Sequence, residues 1–120
     1  MDVVVLVTDL IFATKIRSTA EEVGVGASRC RVVSCLGELS EVLSQSSPSL
    51  VVIDLNASCA DVVAAVEVAK AHRGPKRVVA YGSHVEAEVM RRAEAAGADI
   101  VWPRSKFSFE LPRLLEDAKG

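Results

Sequence analysis

An α/β fold, with a parallel sheet covered by helices on both faces, is what this chain predicts, and three observations carry the prediction. Five short apolar runs alternate with five segments of helical period along 120 residues. The runs are β-branched and continuous, the pattern of strands buried on both sides. Successive runs are separated by enough chain for a crossover helix, which parallel strands need and which winds right-handed.

Val3 to Val7 reads as the first strand. After Thr8 and Asp9 the apolar positions move to Phe12, Ile16, Thr19, Ala20 and Val23, one face of a helix that Gly24 and Gly26 close. Cys30 to Ser34 is the second strand, and Leu36, Leu39 and Leu43 mark a helix that runs into the loop around Pro48. Leu50 to Ile53 is the third strand, ending on Asp54, Leu55 and Asn56. Asp61 is placed to cap a helix carrying Val62, Val63, Val66, Ala69 and Lys70, which Gly74-Pro75 stops. Val78 to Tyr81 is the fourth strand. His84 to Ala96 follows as a helix with Val85, Val89, Met90, Ala93 and Ala96 inward and Gly97 at its end. Ile100 to Trp102 and Phe107 to Ala118 complete the alternation. For five such units the common arrangement is the flavodoxin-like, doubly wound five-stranded parallel sheet of order 2-1-3-4-5.

Composition narrows the function classes. The length fits one domain, residues 1–120, and aromatic residues are only 4%, so the core is built from Val, Leu, Ile and Ala. A net charge of -2 gives no broad attraction to nucleic acid or acidic membranes. Lys70, Arg73, Lys76, Arg77, Arg91 and Arg92 read as a solvated surface. Three cysteines without a C-x-x-C pair argue against a disulfide framework or a zinc site. Cys30, Cys35 and Cys59 are read as small buried hydrophobes, and His72 and His84 have no ligand partners at metal spacing. The run Val3 to Val7 is too short for a signal core or a membrane span, so a cytoplasmic setting is expected.

In open α/β sheets, ligands gather beyond the carboxyl ends of the strands. The alternation places Thr8 and Asp9, Asp54 and Asn56, Gly82 and Ser83, and Pro103 and Arg104 at that edge. Plain structural roles compete with functional ones here. Asp54 and Asn56 could serve as turn residues bonding their own backbone, Asp9 could cap the first helix, and Arg104 could simply point into solvent. A flavin, nucleotide or cobalamin site is disfavoured, because Thr8-Asp9-Leu10-Ile11-Phe12 has no glycine for a phosphate cradle and no histidine for cobalt.

The strand Leu50-Val-Val-Ile-Asp54-Leu-Asn56 and the run Ala93-Glu-Ala-Ala-Gly97-Ala98-Asp99 resemble the receiver domains of two-component response regulators, over nearly the whole chain. The resemblance implies a CheY-like fold. It further implies that Asp54 is the phosphoacceptor for a histidine kinase and that Asp9, Asp54 and the Asn56 carbonyl hold Mg²⁺. The chemistry needs that cation, since a carboxylate attacking an anionic phosphoryl group must have its repulsion cancelled.

Several positions depart from the family pattern. Thr8 replaces the first acid, which should weaken metal binding. Gly82 stands where the strand-four threonine or serine belongs, leaving Ser83 as an imperfect neighbour. Arg104 takes the place of the lysine, in the order Pro103-Arg104. Val101 takes the place of the aromatic switch residue, with Trp102 facing the other way.

Two readings follow. The first is a pseudo-receiver or atypical receiver, a non-enzymatic signalling and protein-interaction module in which Arg104 bridges Asp54 and phosphorylation is not needed. The second is a working receiver that accepts a phosphoryl group on Asp54 with Mg²⁺. Either would meet a histidine kinase, an output protein or a second copy through the region 84–118, and no effector region is expected within these 120 residues.

Overall fold

The computed structural model describes residues 3–57, 61–72, 77–83, 85 and 87–119, without the side chains of residues 27 and 119. Cys59, Arg73, the Gly74-Pro75 stop, Lys76 and His84 lie outside the described residues. The strands are β1 (Val3–Leu6), β2 (Cys30–Val33), β3 (Leu50–Asp54), β4 (Arg77–Gly82) and β5 (Ile100–Pro103). The helices are α1 (Leu10–Glu22), α2 (Leu36–Gln45), α3 (Val62–Ala71), α4 (Ala87–Ala95) and α5 (Arg104–Lys119). All strand pairs are parallel, in the order β2-β1-β3-β4-β5 expected from the alternation.

Strand alternation divides the core in two. Val3, Val5, Leu50, Val52, Val79 and Tyr81 face one layer with Phe12, Ile16, Phe107 and Leu111 from α1 and α5. Val4, Leu6, Val51, Ile53, Val78 and Ala80 face the other, with Leu39, Val66 and Ala93 from α2, α3 and α4. β1 and β3 are buried along their whole length, which is why β1 and the first four residues of β3 are unbroken apolar runs rather than alternating ones.

Helix starts differ most from the sequence reading. Within the described residues α4 begins at Ala87, and Val85 sits in a turn before it, 77% exposed and not inward. The helical period does not extend upstream of a helix, so Val85's spacing carried no information. Val63 is likewise only partly buried, the inward face of α3 being Val62, Ala65, Val66 and Ala69. α5 begins at Arg104, three residues before Phe107, because its first turn is polar and invisible to an apolar pattern. A 3-10 turn, Ala27–Arg29, leads into β2 and was not foreseen. Cys30 is buried as expected, whereas Cys35 is only half-buried and occupies the N-cap of α2.

The Ala-Gly-Ala-Asp junction has a structural explanation. Gly97 takes φ 112°, a left-handed conformation that turns the chain out of α4. Asp99 then accepts from the Val78 N–H at 2.7 Å and pairs with Lys70 at 3.2 Å, tying β4, β5 and α3 together.

Candidate functional site

β3 ends on Asp54, and alternation turns its side chain toward the α1 and α5 layer, as for Leu50 and Val52. Asp54 is 1% exposed. One carboxylate oxygen, Oδ1, accepts the Asn56 N–H at 2.8 Å, so the local turn role is real. The same oxygen lies 3.9 Å from the terminal Nη2 of Arg104. That is an ion pair, longer than a hydrogen bond.

Arg104 is the first residue of α5, and its side chain is 41% exposed. Its guanidinium carbon stands 5.2 Å from the centre of the Phe12 ring, while its buried Nε makes no hydrogen bond among the described residues. Phe12 comes from the first turn of α1, which Asp9 caps by accepting from the Ile11 and Phe12 N–H groups at 3.0 and 3.2 Å. Tyr81 is directly opposite Asp54 in the β3–β4 register. Its fully buried ring lies 4.2 Å from Phe107, stacked, and 5.1 Å from Phe12, and its hydroxyl stands near the Asp54 carboxyl without a well-formed hydrogen bond among the described residues.

Burial is the largest influence on Asp54 and pushes its carboxyl above the ordinary value, aided by the nearby Asp9 charge. The Asn56 N–H, Arg104 and Tyr81 pull the other way and do not overcome it. Tyr81 is raised as well, by burial first and then by the Asp54 charge.

The other edge residues are engaged locally. Asn56 Oδ1 accepts the Ser83 N–H at 3.0 Å, and the Ser83 hydroxyl accepts the Val85 N–H at 3.4 Å. At Gly82 an added Cβ would stand 3.2 Å from the Leu55 Cβ, so a threonine there would crowd the β3 loop. Val101 belongs to the α2, α3 and α4 layer and Trp102 to the opposite one, beneath Lys106 at 5.6 Å. Beside the site opens a cleft of about 760 Å³ lined by Asn56, Ser83, Pro103, Arg104, Ser105 and Ser108.

The structure thus brings Asp9, Asp54, Asn56, Ser83 and Arg104 to one edge. Among the described residues no group of three or more His, Cys, Asp or Glu side chains is arranged for a metal. Asp9, Asp54 and the Asn56 carbonyl fit Mg²⁺ poorly as a donor set. One oxygen of Asp9 is committed to the helix cap, and the arginine cation already stands 3.9 Å from Asp54 Oδ1.

Phe12 and Tyr81 were absent from the sequence-derived site. The available signal was strand parity: with Asp54 and Tyr81 in register, one faces wherever the other does. The spacing of Phe12 puts it on an inward helix face and does not tie it to Asp54.

The strand order and the acid closing β3 define an α/β protein with the fold of response regulator receiver domains. Solved structures of that class make the likeness particular. The receiver domain of NtrX from Brucella abortus is 18% identical with a TM-score of 0.80, covering 98% of both chains. Against a longer NtrX structure, 98% of this chain covers 26% of that one. A response regulator receiver protein from Burkholderia phymatum is 24% identical with a TM-score of 0.74, covering 98% of this chain and 94% of that one. The receiver domain of the sensor histidine kinase PA1611 from Pseudomonas aeruginosa PAO1 has a TM-score of 0.81 at 14% identity, covering 99% and 97%. In that protein's structure a magnesium ion is coordinated in the active site cleft. The sequence matches no protein-family description and no curated protein.

Proposed function

We propose that this chain is a receiver-like signalling and protein-interaction module whose phosphoacceptor site is degenerate and whose output does not depend on phosphorylation. The observation that carries the reading is the placement of Arg104. Its guanidinium stands 3.9 Å from the carboxylate of a 1% exposed Asp54, where an incoming phosphoryl group and its cation would have to act. A fixed cation beside a buried carboxylate cancels much of its charge and blunts its reactivity as a nucleophile. Thr8 and Gly82 support the same reading, since they remove an acid that would bind metal and a hydroxyl that would hold a phosphoryl oxygen.

The module is non-enzymatic and cytoplasmic in this reading. It acts by docking a histidine kinase, an output protein or a second copy through the region 84–118. Val85 and Phe109 are exposed large apolar residues there, and every residue of β5 is partly exposed. The competing reading, phosphoryl acceptance on Asp54 with Mg²⁺ at Asp9, Asp54 and the Asn56 carbonyl, is favoured by the retention of the acid at the end of β3. Incubation with Mg²⁺ and phosphoramidate followed by intact mass separates the two. We expect the unmodified mass, and an adduct that disappears in Asp54→Asn overturns the proposal.

A further inference from the structure

We infer that Phe12 is the positioning residue for Arg104, its ring face holding the guanidinium over the buried carboxylate. This rests on the reading above, in which Arg104 neutralises Asp54. Direct bonds do not hold Arg104 in place. Its distance to Asp54 Oδ1 is 3.9 Å, too long for a hydrogen bond, and its buried Nε has no partner among the described residues. Charge attraction alone has little directional preference, and a long side chain that is 41% exposed could satisfy it from several rotamers.

What does fix the guanidinium is a surface. Its central carbon lies 5.2 Å from the Phe12 ring centre, within the range of a cation held by an aromatic face. Phe12 itself cannot easily swing away. It is nearly buried, its ring centre lies 5.1 Å from that of Tyr81 and 6.0 Å from that of Phe107, and its N–H is bound by the Asp9 cap at 3.2 Å. A chain of contacts therefore runs from the first turn of α1 to the end of β3. Asp9 orients Phe12, Phe12 seats Arg104, and Arg104 faces Asp54.

The test uses the full chain labelled with ¹⁵N and ¹³C, with the Arg104 side-chain signals assigned by their loss in Arg104→Lys. In the unaltered protein the Arg104 side-chain protons are expected upfield of free arginine, shifted by the ring current of Phe12. In Phe12→Leu, which keeps apolar bulk, they return toward the free value, and in Phe12→Trp the upfield shift is restored. Free-arginine shifts in the unaltered protein overturn the proposal, even if Phe12→Leu does not fold. So does an Arg104 signal that is the same in Phe12→Leu. Adduct formation on Asp54 is read separately by mass, so phosphorylation of Asp54 defeats the proposed function without touching this measurement.

Discussion

The surroundings of Asp54 raise its pKa, and this has a definite sign in stability. With burial as the main cause, its folded pKa stands above the ordinary value, so the folded state binds the proton more tightly than the unfolded one. Its contribution is complete below the ordinary pKa and is lost as pH rises through the folded one. Asp99 has the opposite sign. Despite some desolvation, the Val78 N–H and Lys70 lower its pKa, so its contribution is present above the ordinary value and lost as pH falls through the folded value. Urea unfolding across a pH series should therefore show Asp54→Asn gaining on the unaltered protein as pH rises from about 4. Curves that stay parallel would contradict the burial argument. At Gly82 the neighbour is a Cβ rather than a flexible tip, 3.2 Å from an added carbon, so Gly82→Thr should cost about 1–3 kcal/mol in the same assay. The sequence pointed to the edge residues because strand ends can be read from apolar runs. It did not point to Tyr81 or Phe12, because their closeness to Asp54 depends on the β3–β4 register, without which strand parity says nothing, and on how α1 packs.

Within α1, one residue serves two purposes that substitution can separate. Asp9 caps the helix through the Ile11 and Phe12 N–H groups, and its charge also raises the pKa of Asp54. Asp9→Ala removes both and should cost about 1 kcal/mol through the lost cap. Asp9→Asn keeps a capping oxygen while removing the charge, so it should stay near the original stability and let the Asp54 pKa fall. Denaturant midpoints together with a carboxyl ¹³C titration check the two halves independently. Strands were legible element by element, since β1 and β3 bury every residue and are apolar throughout except for Asp54 at the end of β3. Helix interiors were legible from the apolar period, and the caps at Asp9 and Asp61 from a carboxylate placed to accept the first-turn N–H groups. The starts of α4 and α5 were not. The polar first turn of α5 has no apolar period to betray it, and ahead of α4 the exposed Val85 imitated an inward position by chance.

For the whole molecule, the alternation of strand and helix pointed to the observed sheet order, because parallel strands with right-handed crossovers leave few alternatives and 2-1-3-4-5 is the common one for five units. Which surface meets a partner was not determined by that rule, since a fold supplies many faces. α5 offers a way to ask, as it carries two phenylalanines two positions apart with opposite surroundings. Phe107 is fully buried, with its ring 4.2 Å from Tyr81, while Phe109 is 82% exposed. Phe107→Ala should cost about 3–5 kcal/mol, the usual toll for emptying a ring-sized space in a core. Phe109→Ser should shift stability by no more than about 0.5 kcal/mol, as surface changes do. If the region 84–118 is the docking face, Phe109→Ser should nonetheless weaken self-association or partner binding measured by sedimentation at matched concentration. Equal sedimentation and binding in both proteins would move the interface off this face of α5, leaving the fold and the Asp54 site as they stand.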